Sequence, residues 1–204
     1  MKGCQIIMEF LHTKEKILTG MLRLIWEVGL EKSSIALLSQ KIKISPGNIY
    51  YYFRGKEEII NSLCFYCSDM LSSAIKPKEY EAFYDNCSIE ILEREFKSFI
   101  TKMIIFYKNN PHIINYITVI NGSSYIKQEM KKKIRLEKDI YWKFLEKLKE
   151  NKAIKDVSTS ILISFITSVM HDMVVQDVVL NNLTLDDKKI DALFNLIWSG
   201  LSSE

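Results

Sequence analysis

Residues 33–56 read SSIALLSQKIKISPGNIYYYFRGK, and this stretch decides the fold. It predicts two short helices joined by a tight turn. Ser33 or Ser34 can cap the first helix, because a serine hydroxyl accepts a hydrogen bond from a free N–H of the first turn. Ser45 and Pro46 mark the N-cap and the first residue of the second helix. This spacing predicts a helix-turn-helix, a unit whose second helix can enter the DNA major groove.

The residues before and after this stretch extend it into a small domain. An apolar stripe at helical spacing predicts an earlier helix with Thr13 as its N-cap and Gly29 as its stop. A later helix, acidic in its first turn, is predicted to connect this head to the rest of the chain. We therefore predict an N-terminal extension over residues 1–12, a helix-turn-helix DNA-binding domain over 13–58 and an effector-binding and dimerisation domain over 59–204.

The remainder of the chain predicts more helices, and no strand pattern competes with them. The predicted fold class is all-α: a three-helix head, a connector helix and an α-helical ligand-binding and dimerisation body, about nine helices in all. Lys76-Pro77-Lys78 is interpreted as a linker. The helical patterns of the body cover residues 89–107, 112–120, 123–148, 158–180 and 186–201.

Positive charge is concentrated in the predicted head. The formal net charge of the whole chain is only +3. Between Thr13 and Lys56, however, eight Lys and Arg residues stand against three Glu residues. Such a local excess is typical of a surface that meets phosphates, whereas the small total argues against a protein that coats DNA generally.

Composition also excludes several classes of protein. The apolar stretch 161–180 contains His171, Asp172, Gln176 and Asp177, which favours a buried helix of a soluble protein over a membrane span. The N-terminus is too weakly apolar for a signal peptide, so we expect a cytoplasmic protein with no membrane partner. No nucleophile–base spacing, glycine-rich phosphate loop or paired carboxylate motif is present. We therefore expect no catalysis, no cofactor and no metal.

Residues 13–63 resemble the N-terminal head of the TetR family of bacterial transcriptional repressors. The segment ISPGNIYYYF at 44–53 follows the signature of that family, and Lys56-Glu57 follow its continuation. The chain departs from the family at Leu38-Ser39, where Ile-Ala is usual, and at Lys43, where glycine is usual. Lys43 must then adopt an unfavourable backbone conformation, or the turn differs slightly.

The resemblance implies specific DNA contacts. Phosphates would be met by Ser33 or Ser34, by the phenols of Tyr50 and Tyr51, and by Lys56. Base edges would be met by the exposed first turn of the second helix, which contains Ser45, Pro46, Gly47 and Asn48. The amide of Asn48 is the best candidate for direct readout, because it can pair bidentately with adenine.

The resemblance also implies a homodimer that binds a palindromic operator in double-stranded DNA, with a small-molecule effector in the body. The predicted dimer residues are Ile161, Phe165, Leu193, Phe194, Ile197 and Trp198; the alternative is that they close the core of a single chain. An apolar or aromatic ligand could be lined by Phe99, Met103, Phe106, Tyr107, Tyr116, Trp142, Met170 and His171. Ordinary core packing is the alternative for each of these.

Three functions remain open. The first is a repressor that a small apolar or aromatic ligand releases from its operator. The second is a ligand-independent, DNA-bound module whose body docks a protein. The third is a thiol- or metal-responsive regulator that uses Cys64 and Cys67, which share a helix face, with Cys87 or His112. A single CxxC pair is a weak signal, and buried thiols are the commoner explanation.

Overall fold

The computed structural model describes residues 2–75, 87–125, 140–180 and 186–203. Within these ranges it contains nine α-helices, a π-helical segment at Val175–Leu180 that continues α8, and one isolated β-bridge between Ile154 and Ser202. The all-α prediction is therefore confirmed. The helices are α1 (Lys2–Val28), α2 (Ile35–Ile42), α3 (Pro46–Tyr52), α4 (Lys56–Ile75), α5 (Ile89–Asn109), α6 (Pro111–Asn121), α7 (Ile140–Glu150), α8 (Thr159–Val174) and α9 (Asp187–Leu201).

Helix α1 begins eleven residues earlier than its sequence pattern suggests. The prediction of an N-cap at Thr13 is wrong, because α1 runs without interruption from Lys2 to Val28. Apart from Gly3, the intervening residues are compatible with a helix, so the capping preference of one threonine does not stop it. The predicted stop is confirmed, since Gly29 has a φ of +83° and follows the last helical residue.

The remaining boundaries lie close to those predicted. Asp186 caps α9 by accepting a hydrogen bond of 2.9 Å from the Lys189 N–H. The predicted helix at 123–148 is described only in part: residues 123–125 are not helical, and α7 covers its C-terminal portion. The predicted linker at Lys76-Pro77-Lys78 lies outside the described residues.

The chain divides into two compact units. The head unit contains residues 1–69 and 112–136, and the body unit contains residues 70–111 and 137–204. This division groups α6 with the head, whereas the domain boundary drawn at residue 58 stays a prediction about function. The core of the head unit is formed by α1, α2 and α3 through fully buried residues such as Ile17, Leu38 and Ile49.

Aromatic packing organises the body unit. The buried ring of Phe96 on α5 is contacted by rings from three further positions on α7 and α9, with centroids 5.7–6.1 Å away. These are Phe144, Phe194 and Trp198. On the surface of the same unit, Lys97 and Asp191 form a salt bridge of 2.8 Å between α5 and α9. Burial of these four aromatic side chains is the main force that holds α5, α7 and α9 together.

Candidate nucleic-acid interface

Helix α3 presents its first turn to solvent and anchors its opposite face in the head unit. The Ser45 hydroxyl accepts a hydrogen bond of 3.2 Å from the Asn48 N–H, and Pro46 occupies the first turn, as predicted. Residues 45–48 are all exposed. By contrast, Ile49 is fully buried and Phe53 is 2% exposed. The first turn of α3 is thus exposed while the opposite face of the helix is packed, and a helix that enters a DNA groove needs this arrangement.

The two serines before α2 have different roles. Ser34 is the N-cap, since its hydroxyl accepts from the Leu37 N–H at 3.2 Å. Ser33 is 2% exposed, and its hydroxyl donates to the Leu30 carbonyl at 2.6 Å. Of the two serines that the sequence offered for a phosphate contact, only Ser34 therefore stays a candidate.

Helices α1 and α2 approach each other closely at Gly20. A Cβ at this position would lie 2.3 Å from Ile42 Cγ2 and 3.1 Å from Leu38 Cδ1. Only a residue without a side chain fits there. Sequence reasoning missed this contact, although a glycine inside an amphipathic helix pattern is a recognised sign of close packing.

Tyr50 and Tyr51 project from the end of α3. Tyr50 is 55% exposed and Tyr51 is 73% exposed, which is unusual for side chains of this size. Their phenols are available to phosphate oxygens. Tyr51 also contacts the rings of Tyr52 and Phe10. The contribution of Phe10 was missed by sequence reasoning, because residues 1–12 were interpreted as an extension outside the domain.

The ammonium of Lys56 is partly engaged within the head unit. It donates to the Leu30 carbonyl at 2.6 Å and to the Glu31 carbonyl at 3.3 Å. It also lies 5.0 Å from the centroid of the Tyr125 ring. A lysine carries three donors, so one N–H is left for a phosphate unless these bonds are exchanged. Lys56 thus ties the loop after α1 to the start of α4.

The predicted ligand residues are divided between the two units. Seven lie in the body unit, where Phe99, Met103, Phe106 and Met170 are buried and Tyr107, Trp142 and His171 are half-buried. Phe99 packs on the ring of Phe144 with a centroid distance of 5.3 Å, an ordinary core contact.

Tyr116 belongs to the head unit. Its hydroxyl donates to the Ile60 carbonyl at 2.7 Å and lies 2.9 Å from Cys64 Sγ. This residue therefore links α6 to α4 inside the head unit, and the other seven predicted ligand residues lie in the other compact unit.

The predicted dimer residues also fall into two groups. Leu193, Phe194 and Ile197 are buried in the core of the body unit, so the single chain already covers them. Ile161 and Phe165 on α8 remain 59% and 42% exposed. Leu196 on α9, which the sequence prediction did not include, is 71% exposed. The half-buried Trp198 packs against Phe96 and Phe194.

An open groove follows the exposed face of α8. Its volume is about 450 Å³, and its lining is apolar with small hydroxyl side chains. The lining residues are Ser160, Ile161, Ser164, Phe165, Ser168 and Val169. Gly200 of α9 lies beside it, since a Cβ there would be 3.8 Å from the Phe165 ring.

Helix α8 and the start of the π-helical segment are strongly apolar. By length and composition, Thr159–Asp177 could cross a membrane, and only 28% of that window is buried in the single chain. The expectation that this stretch is a buried helix therefore holds for one stripe of it, which includes Leu162, Ile166 and Met170. The other stripe, which includes Ile161 and Phe165, is exposed in the single chain.

The Cys67 thiol lies in a setting that keeps it protonated. Cys67 is buried, and burial together with the neighbouring Cys64 raises the pKa of its thiol to about 12. A protonated thiol is a poor nucleophile and a poor metal ligand. Among the described residues, no group of three or more His, Cys, Asp or Glu side chains could hold a metal ion.

The comparisons with known proteins agree with this geometry. Residues 17–63 match the family model for bacterial regulatory proteins, tetR family. No curated protein sequence matches the chain.

Solved structures resemble it over most of its length. A TetR family transcription regulator from Marinobacter aquaeolei VT8 is 17% identical, with a TM-score of 0.79 over 94% of this chain and 96% of its own. The fatty acid degradation regulator FadR from Bacillus halodurans is 17% identical, with a TM-score of 0.67 over 91% and 92%. AibR, in complex with isovaleryl coenzyme A and operator DNA, is 13% identical, with a TM-score of 0.63 over 93% and 98%.

The family match and the structural likeness cover different parts of the chain. The family match covers the exposed first turn of α3 and the residues that hold it, and it confirms the resemblance stated for residues 13–63. The structural likeness, at low identity, extends the shared fold to the body. Residues 17–63 therefore match the tetR family of bacterial regulatory proteins, and the chain as a whole shares its fold with solved TetR-family transcription regulators.

Proposed function

We propose that this protein is a cytoplasmic transcriptional repressor that binds a palindromic operator as a homodimer and is released by a small apolar ligand. The observation that carries the DNA-binding part is the first turn of α3. Its four residues are exposed, its N-cap is satisfied by Ser45, and it stands in a segment that matches the tetR family.

In this proposal Asn48 reads a base edge, because its side-chain amide is exposed on the turn that enters the groove. Gly47 allows the helix backbone to approach the bases, since the space around its Cα is open. Ser34, Tyr50 and Tyr51 supply hydroxyls to phosphates, and Lys56 supplies its remaining N–H. Phosphate contacts of this kind fix the register of the helix on the duplex.

The second copy of the chain is proposed to cover the exposed stripe of α8 and α9. Ile161, Phe165 and Leu196 are large apolar side chains at the surface of the body unit. The serines between them are small enough for another helix to pack closely. Burial by a second copy also accounts for the apolar composition of α8 without a membrane. A two-fold dimer presents two copies of α3, which matches a palindrome.

An acyl thioester is the first effector class to test. AibR was solved with isovaleryl coenzyme A, and FadR is a fatty acid degradation regulator. The body unit of this chain is rich in buried aromatic and methionine side chains, which suit the acyl part of such a thioester. The corresponding measurement is operator affinity with and without isovaleryl and long-chain acyl coenzyme A. Release from the duplex by either would support the proposal.

The DNA contacts are tested on a duplex that the wild-type protein selects from a randomised library. Asn48→Ala should cost about 1–3 kcal/mol and relax the preference at one base pair of each half-site. Tyr50→Phe should weaken binding similarly for every sequence, because it removes only a phosphate contact. Unchanged affinity and unchanged preference in Asn48→Ala would show that α3 does not read the operator through this residue.

A further inference from the structure

Phe10 lies on the part of α1 that precedes the family match, and it touches the end of α3. Its ring centroid is 4.7 Å from that of Tyr52 and 6.3 Å from that of Tyr51, the latter pair edge to face at 79°. Tyr51 and Tyr52 are themselves edge to face at 5.2 Å and 88°. The three rings form a closed cluster, here called the Phe10 cluster.

The most exposed ring of the Phe10 cluster is that of Tyr51, and such exposure would normally leave a side chain mobile. Tyr51 is 73% exposed, and an aromatic side chain this open to water usually changes rotamer freely. Edge-to-face contacts with two neighbouring rings favour a single orientation instead. The phenol of Tyr51 is therefore held in place before any DNA arrives.

We propose that Phe10 is a positioning residue for DNA binding, which orders Tyr51 for its phosphate contact and so makes the N-terminal turns of α1 part of the DNA-binding head. This inference rests on the proposed function. Phe10 acts through Tyr51 and does not itself contact DNA. Its effect is one of pre-organisation, because the Tyr51 side chain loses its conformational entropy when the chain folds and not when DNA binds.

A role confined to core stability fits the geometry less well. Phe10 is 37% exposed, so its removal leaves no enclosed cavity. Tyr50 provides an internal comparison, because it lies next to Tyr51 on the same helix and is 55% exposed. No ring contact of Tyr50 is present in the described part of the chain. An effect transmitted by ring contact should therefore reach Tyr51 and leave Tyr50 unaffected.

The test is a pair of double-mutant cycles in the full-length protein, on the duplex that the wild type selects from a randomised library. Phe10→Ala should weaken binding about 3- to 10-fold. Phe10→Tyr keeps the ring and should bind within about twofold of the wild type. In a Tyr51→Phe background, which lacks the phenol, Phe10→Ala should change the affinity by less than about twofold. In a Tyr50→Phe background the full loss should remain.

Thermal unfolding of each variant separates positioning from stability, since a stability effect would appear equally in both backgrounds. Wild-type affinity in Phe10→Ala overturns the proposal, and so does a loss that persists undiminished in Tyr51→Phe. If the wild-type protein selects no duplex at all, the proposed DNA-binding function falls and this inference falls with it. If a duplex is selected and only the Phe10 cycle fails, DNA binding stands and the positioning role alone is wrong.

Discussion

At the scale of single residues, Lys43 has a strained backbone conformation in the head. It has a φ of 55° and a ψ of 45°, the left-handed conformation that favours glycine. Of the two possibilities that the sequence left open, the unfavourable backbone is therefore the one adopted. We expect Lys43→Gly to raise the free energy of unfolding by about 0.5–1 kcal/mol, measured by urea denaturation.

Lys152 allows the same measurement outside the head, because its φ is 56°. Lys152→Gly should give a gain of similar size. A loss of stability in both variants would contradict the view that left-handed lysines strain this chain.

The buried thiol of Cys67 predicts a pH dependence of stability. Burial, with a contribution from Cys64, raises the pKa of Cys67 from its ordinary 9.0 to about 12. Because the folded chain holds this proton more tightly than the unfolded chain, the contribution to stability is complete below pH 9 and is lost as the pH rises towards 12. The urea midpoint of the wild type should therefore fall more steeply over this window than that of Cys67→Ala. Parallel curves would show that the thiol is not linked to folding.

At the scale of elements, two glycines give opposite predictions. Gly20→Ala places a Cβ 2.3 Å from Ile42 Cγ2, so it should destabilise the protein by about 1–3 kcal/mol although alanine favours helices. Gly47 has nothing within 4 Å of a Cβ, so Gly47→Ala should stabilise α3 by up to about 1 kcal/mol. Urea denaturation checks both values.

Operator affinity completes the comparison between these glycines. Gly47→Ala should weaken binding to the selected duplex in spite of its greater stability, because the added methyl group would face the bases in the proposed complex. If Gly47→Ala binds as tightly as the wild type, α3 does not approach DNA at this residue.

The elements differ in how far the sequence alone could define them. The start of α3 depends only on two neighbouring residues, Ser45 and Pro46, so it was predicted correctly. The start of α1 was not, because the weak cap signal at Thr13 competes with a continuous run of helix-compatible residues. Helical spacing separates Leu193, which the chain buries, from Leu196, which it exposes. Periodicity does not encode whether the stripe with Leu193 packs inside one chain or against a second copy, because that depends on how α5, α8 and α9 pack.

The same distinction applies within the candidate site. The exposure of Asn48 and Tyr50 follows from the amphipathic pattern of α3 and could be predicted. The burial of Ser33 and the contact of Phe10 with Tyr51 depend on segments that are distant in sequence or that lack a motif. The placement of Tyr116 in the head unit is another tertiary outcome that no local pattern records.

At the scale of the whole molecule, the proposed dimer predicts the effect of one charge. Phe165 lines the groove on α8 and is 42% exposed, and Ile105 on α5 is 45% exposed. Phe165→Glu should give monomers in sedimentation experiments and weaken operator binding by about 100-fold, because the two heads no longer act together. Ile105→Glu adds the same charge at similar exposure and should leave both properties unchanged. A dimeric Phe165→Glu protein would place the interface elsewhere.

The central claim is that the head unit recognises a DNA sequence. The most direct measurement is the affinity of the wild-type protein for its selected duplex relative to a scrambled duplex, at one fixed salt concentration near physiological. We expect a ratio of about 1,000 or more, with two chains bound to a near-palindrome. A ratio near one, or a library from which the protein enriches no sequence, would contradict it.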